Sequence, residues 1–373
     1  MAWRPKTLTS LFGTIRPLMA YYHCASCGCG RKPWDQALGL TSKSLTPAAE
    51  QLSAQAGVLA SFAEASQRTL VSMSGLRISE STVERATEEA GARLQRKLNQ
   101  GQTQGPRQSW EWQRDAEGQT CAYIGVDHTG VRQQGPQGSR ADGRMAAVGI
   151  VYNPRSPHDA TAPPSGQVRY LSGLHYDLPE LGRQLRREAE AVGLMQAQRQ
   201  IALTDGGAGL ESMLRTYFPS AVCILDFWHA KEHLVELAQA LHPQDEAPRK
   251  KWLDGMCHAL KHEGGRAVLS RLQAMDATAW TALQQEMHRR QVGYFTNHAH
   301  RMDYPTYLAR GWQIGSGPVE SACKTVVGNR LKGGGMRWGL DGSDSVCHLR
   351  AAYLSEPSCW DALWNQKQAH LQN

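Results

Sequence analysis

Three carboxylates in this 373-residue sequence stand where an apolar run gives way to a turn or a helix start, and such groups can hold divalent cations. Ile124-Gly125-Val126-Asp127 reads as a strand ending in a carboxylate and followed by Thr129-Gly130. Ala202-Leu203-Thr204-Asp205-Gly206-Gly207 repeats the pattern, its glycines letting the backbone turn so that the carboxylate projects from the strand end. In Ser316-Gly317-Pro318-Val319-Glu320-Ser321, Gly then Pro marks a helix start and puts Glu320 in the first turn. Three carboxylates at one sheet edge repel one another unless cations neutralise them, and an all-oxygen ligand set suits Mg²⁺ or Mn²⁺. Two such ions roughly 3.5 to 4 Å apart can activate a water or a 3′-hydroxyl and stabilise the oxygen leaving a phosphodiester. The chemistry expected is phosphoryl transfer. Taken singly each motif is weak, because an Asp after a strand is most often a turn or cap residue.

The elements that must position these groups follow from apolar patterning. Cys121 to Val126, Met145 to Tyr152 and Gln167 to Leu174 read as three strands that pair antiparallel. A helix over Pro179 to Val192, a strand over Gln200 to Thr204, a helix over Ala208 to Phe218, a strand over Ala221 to Leu225 and a helix from His229 complete the pattern. The last two strands should lie parallel through a right-handed crossover, giving an α/β fold with a mixed five-stranded sheet flanked by helices. Residues 242–311 carry Trp252, Leu253, Leu260, Leu269, Leu272, Trp280 and Leu283 at helical spacing and read as an all-helical insertion. The core is expected over 119–241 and again over 312–373, where its final helix and a carboxy-terminal tail lie.

Ahead of the core, residues 1–45 hold Cys24, Cys27 and Cys29 in a Gly-rich turn. Thiolates so spaced can share a tetrahedral Zn²⁺. No second Cys-x-x-Cys exists, so His23 or Cys29 would have to serve, and three unligated cysteines in the remnant of a zinc ribbon are the equal alternative. Over 46–98 the spacing gives helices at Ala48 to Leu59 and Ser61 to Met73, and a third opening after the candidate N-cap Ser79. Gly75 in the turn suggests helix-turn-helix, with Ser81, Thr82 and Arg85 where a recognition helix contacts bases. Glu80, Glu84, Glu88 and Glu89 on that helix would repel phosphates, and an ordinary bundle is the competing reading. Residues 99–118 open with a Gly- and Gln-rich run and read as a linker.

Charge fits a polyanionic partner without requiring one: the net charge is +7 and the pI near 8.9. By segment it is +4 over 1–120, zero over 121–229 and +3 over 230–373, so a neutral middle lies between basic ends. After Glu320 come Lys324, Arg330, Lys332 and Arg337, with Trp338 and a triple-glycine loop, a pattern suited to a phosphate backbone. The solvated face of a helix is its bland counterpart. Eleven tryptophans are read as core packing before base stacking. Nine irregularly spaced cysteines argue against a disulfide framework. With no membrane-length apolar run and no secretory apolar core near Met1, a cytoplasmic protein is expected.

As a set, AspHisThrGly at 127, ThrAspGlyGly at 204, LeuAspPheTrpHisAlaLysGluHisLeu from 225 and GlySerGlyProValGluSerAlaCysLys from 315 resemble bacterial insertion-sequence transposases of the DDE class, specifically the Kra type. The resemblance runs from TyrTyrHisCys and ProTrpAspGlnAlaLeuGlyLeu to GlyMetArgTrp at 335 and HisLeuArgAla at 348, most of the chain. It implies a ribonuclease-H-like core in which Asp127, Asp205 and Glu320 hold two Mg²⁺ or Mn²⁺ ions. It also implies that the helical insertion matches the one known in this class and in its Mutator-like relatives, whose Asp-or-Cys, two, His signature Asp226 and His229 resemble, here given a supporting role. The implied partners are DNA, as terminal inverted repeats and target, and a second copy of the chain in a synaptic dimer at the nucleoid. Family members carry further cysteines before TyrTyrHisCys, whereas Met1 lies 23 positions ahead of Cys24, so a shortened amino terminus and incomplete ribbon are expected. The competing functional readings are a catalytically silent or domesticated DNA-binding protein, and a nuclease of the same fold without joining activity.

Overall fold

The computed structural model describes residues 1–40, 44–154 and 166–365, so residues 366–373 of the expected carboxy-terminal tail lie outside the described residues. The amino-terminal segment folds as β1 (Ala2–Pro5), β2 (Leu8–Ser10), β3 (Gly13–Ile15), β4 (Leu18–His23) and β5 (Gly30–Arg31), with β4 central in one small antiparallel sheet and β2–β3 a hairpin. The central sheet comprises β6 (Cys121–Val131), β7 (Arg144–Tyr152), β8 (Val168–Gly173), β9 (Arg199–Thr204) and β10 (Ala221–Leu225) in the order β10-β9-β6-β7-β8. As expected, β6, β7 and β8 pair antiparallel and β9 and β10 join parallel. The fold is mixed α/β.

Both faces of this sheet are buried, which is why its strands are apolar nearly throughout. Tyr123, Val148, Ile150, Leu203 and Ile224 face Met256, Leu260 and Phe295 of the helical insertion and Val319 and Val326 beyond it. Alternate residues Ala122, Ile124, Val126 and Ala202 face Leu181 and Leu185 of the helix Leu178–Ala191, Leu214, and Leu94 of the helix Glu80–Asn99. The insertion is helical over Glu246–Glu263, Gly265–Gln273, Ala282–His298 and Tyr304–Ala309. Among the described residues no helix is long and apolar enough to cross a membrane.

The expected strand at 121–126 continues five residues further, because β7 pairs with it as far as Val131. The segment 99–118 is lashed down. The Gln104 backbone amide donates to Glu188 Oε1 (2.7 Å), its side-chain amide donates to the Tyr170 carbonyl (2.6 Å), and Trp110 is buried. Polar composition reads as a linker, yet Gln104 alone satisfies a backbone carbonyl and a buried carboxylate across the core.

The helices at 46–98 do not stand apart either. They have a small core of their own around Leu70, Ile78 and Val83, but Glu80–Asn99 runs along the helix Leu340–Leu354. At the crossing a Cβ on Gly91 would lie 2.1 Å from the Ser345 carbonyl oxygen, so only glycine admits this approach. Gly91→Ala is therefore expected to lose about 3 kcal/mol, the upper range for overpacking, in urea denaturation. Gly255→Ala is the control: it sits in an insertion helix with nothing near its would-be Cβ, and should be neutral or stabilising by up to about 1 kcal/mol.

Candidate functional site

Strand register brings three aspartates to one end of the sheet. The pairing of β6 with β9 ends at Gly125 and Leu203, and Asp127 and Asp205 each lie two residues beyond that pair. The last pair of β10 with β9 is Leu225 and Thr204, so Asp226 comes next to Asp205, its amide donating to the Thr204 carbonyl (2.8 Å). Asp127 is thus not at the end of its strand, as the sequence reads, but in mid-strand where β9 has stopped and β7 continues.

Glu320 arrives from the helix Gly317–Ala322. That helix lies close over β6 because Gly125 has no side chain: a Cβ there would be 3.0 Å from Val319 Cβ. Immediately after it, Cys323–Gly328 forms a π-helical turn, a widened register often found at working sites. This places Cys323 Sγ 3.5 Å from Asp127 Oδ2, donating to it.

Asp127, Asp205, Asp226, Glu232 and Glu320 line one cleft of about 760 Å³ together with His229, and among its described lining residues there is no Lys or Arg. Burial pushes the Asp127 carboxyl above its ordinary value and the Asp205 charge adds to this, opposed by bonds from its neighbour's amide and from Cys323. Such concentrated negative charge fits a group that needs divalent cations. Each carboxylate nonetheless has a local donor. Asp127 Oδ1 accepts from His128 N (2.6 Å), Asp205 Oδ1 from Gly207 N (2.8 Å) and Glu320 Oε1 from Ser316 Oγ (2.6 Å). Among the described residues no three His, Cys, Asp or Glu side chains stand close enough to enclose an ion, so the carboxylates share a cleft without converging on a point.

Asp226 is the N-cap of the helix Phe227–Leu241, accepting from Trp228 N (3.3 Å) and His229 N (3.2 Å), and it also accepts from Ser316 N (3.1 Å). Ser316 in turn holds Glu320, so Asp226 orients the acidic helix start through one intermediary. The His229 ring turns away from Asp226 toward Glu232, with Nδ1 3.4 Å from Oε2. Two further residues escape the sequence reading. Arg301, from the insertion, is 2% exposed and reaches under the Asp205 turn, with Nη1 3.4 Å from Thr204 Oγ1, Nη2 2.8 Å from His298 Nδ1 and Nε 3.1 Å from Glu211 Oε2. Trp228 stands 59% exposed at the cleft. Arg301 is an arginine in a polar run with no local signal, and Trp228 lies within LeuAspPheTrpHis, where Asp226 and His229 and not the indole drew the reading.

The expected nucleic-acid contacts divide. Ser81 and Arg85 are exposed and Thr82 is half-buried, with Arg85 Nη2 3.4 Å from Thr82 Oγ1. Ser79 sits at the N-cap position, yet its hydroxyl bonds Thr82 Oγ1 (2.9 Å) rather than the helix amides. Lys324, Lys332 and Arg337 are exposed, and Lys332 Nζ donates to Thr129 Oγ1 (2.5 Å) beside Asp127. Arg330 is a correction. It is 2% exposed, donates through Nε to the Gly57 carbonyl (2.8 Å) and lies over the Phe62 and Trp338 rings, so it joins the helical region to the core and cannot meet a phosphate. Cys24, Cys27 and Cys29 are exposed on their turn, where the Ser26 hydroxyl and the Cys27 amide pull the Cys24 thiol down to about 6, but their side chains form no ion-enclosing set.

No family model matches the chain, and no curated protein matches it.

Proposed function

We propose that this protein is a DDE-class DNA transposase that cleaves transposon ends and transfers the strands into target DNA. The observation that carries the reading is the cleft itself, where Asp127, Asp205 and Glu320 come from three separate stretches to one sheet end with no Lys or Arg among the described lining residues. The sheet order, with the first strand central, two antiparallel strands on one side and two parallel strands on the other, supports a ribonuclease-H-like core. Asp127, Asp205 and Glu320 would hold two Mg²⁺ or Mn²⁺ ions, which supply Lewis-acid stabilisation of the phosphoryl group and a more acidic attacking hydroxyl.

The chain's own residues do the remaining work. Ser316 holds Glu320, Asp226 holds Ser316, and Cys323 holds Asp127, so the acidic groups are kept in register before substrate arrives. Lys324, Lys332 and Arg337 stand exposed on the segment that follows Glu320, where they can neutralise backbone phosphates flanking the cleft. DNA affinity should therefore fall steeply with salt. A second copy of the chain is proposed to complete a synaptic complex on two ends.

The test is incubation of the purified protein with plasmid carrying the inverted repeats that flank its gene. Mg²⁺-dependent nicking at the repeat ends, followed by joined products, is the expected result. A catalytically silent DNA-binding protein is favoured by a specific observation, the engagement of each carboxylate with a local donor rather than with its fellows. Mobility shift on the repeats without cleavage under any Mg²⁺ or Mn²⁺ concentration would establish that reading, and cleavage without joined products would leave a nuclease.

A further inference from the structure

The cleft mixes two kinds of lining. Besides the carboxylates it is lined by Trp228, Leu308, Ile314 and Pro318. Trp228 is 59% exposed and Leu308 38%. Outside residues 1–40, Trp228 is the one exposed tryptophan among the described residues. An indole left in water beside a strongly anionic site is an apolar surface awaiting an occupant.

Its position is fixed. Trp228 lies in the first turn of the fifteen-residue helix Phe227–Leu241, its amide donates to Asp226 Oδ1, and that same oxygen accepts from Ser316 N, whose hydroxyl holds Glu320. The ring packs edge-on against Phe227, with centroids 5.7 Å apart, and Lys231 Nζ lies 5.1 Å from the indole centroid. A flat aromatic surface with a cation on it is thereby held at a set distance from carboxylates that need cations of their own. The ligand class that matches both kinds of lining is a nucleotide within a strand: a base for the indole and a phosphate for the cation-loaded carboxylates. A base still paired in a duplex presents no free face, so the occupant is an unpaired one.

We infer that Trp228 is a stacking platform for an unpaired nucleobase adjacent to the scissile phosphate, with Leu308 bordering it. The inference rests on the DNA-cleaving reading of the same cleft. Stacking of one base on an aromatic side chain is worth about a 10-fold change in affinity, and the indole's exposure means its removal leaves the core untouched.

The experiment measures binding of two fluorescent duplexes from a repeat end, one fully paired and one mismatched at the two steps beside the cleavage point, in Ca²⁺. Wild type is expected to prefer the mismatched duplex by about 10-fold, Trp228→Phe to keep most of that preference, and Trp228→Ala to lose it while binding the paired duplex as before. An unchanged preference in Trp228→Ala, or no preference in wild type, overturns the platform. The binding assay needs no turnover. Loss of the preference in a protein that never cleaves with Mg²⁺ would therefore refute the transposase reading alone, and cleavage with an unchanged preference would refute the platform alone.

Discussion

Asp205→Asn is expected to lower Mg²⁺-dependent strand cleavage by about 1,000-fold or more, with Asp127→Asn and Glu320→Gln equally severe, because an amide cannot supply the charge on which two-cation chemistry depends. DNA binding should survive, since the cations proposed to contact phosphates, Lys324, Lys332 and Arg337, are not among the residues lining the cleft. In EDTA the sign reverses: removing one of five clustered carboxylates should strengthen binding slightly, which a mobility shift at low salt would register. pH supplies a second check. Burial and the Asp205 charge hold Asp127 above the ordinary carboxylate value, so the acid limb of the cleavage profile should lie above that value too, and Asp205→Asn should move the Asp127 titration downward. Because the folded protein binds this proton more tightly than the unfolded chain, Asp127 favours folding at low pH and loses that contribution as pH rises through its raised pKa. Stabilisation by Mn²⁺, read as a rise in melting temperature, should consequently be larger at pH 8 than at pH 5. Full cleavage by any one of the three variants would remove the corresponding residue from the site.

What could be read from the chain was whatever local pattern encodes. Apolar runs ending in Asp-Gly placed β9 and its carboxylate, and Gly-Pro placed Glu320 in a first turn, because strand and helix boundaries are written in neighbouring residues. The end of β6 was misplaced because Asp127-His128-Thr129-Gly130 has no apolar alternation; what extends it is pairing with β7, a tertiary event. Arg330 was misread for a different reason. Sequence nearness made it one of a basic group with Lys332, but residues two apart on a helix point to nearly opposite sides, and here one side is the core. The tie between Asp226 and Ser316 spans ninety positions and is set by where the chain returns after the insertion, which no local pattern records.

The insertion's contribution to the site is the part furthest from local pattern, and Arg301 tests it. Its guanidinium is almost fully buried beneath Thr204, the residue that precedes Asp205, and is shared among Thr204, His298 and Glu211. Burial and this neighbouring charge push the His298 ring down to about 4, so the histidine stays neutral and accepts rather than competes. Arg301→Met would remove the buried guanidinium from Thr204 and His298, while Glu211 keeps Arg215 and His300, and should cost about 2 kcal/mol in stability, the scale of lost hydrogen bonds to a charged group. Arg301→Lys keeps the charge but cannot bond three partners at once. It is expected to fold with a lowered melting temperature, to cleave about 10-fold more slowly at low Mg²⁺, and to recover as Mg²⁺ is raised, since a displaced ligand weakens cation affinity more than chemistry. A purely structural role would lower the melting temperature while leaving the Mg²⁺ dependence of cleavage, and the Mn²⁺ affinity read by electron paramagnetic resonance, where they are in wild type. A shift in both places the insertion among the elements that hold Asp205 in position.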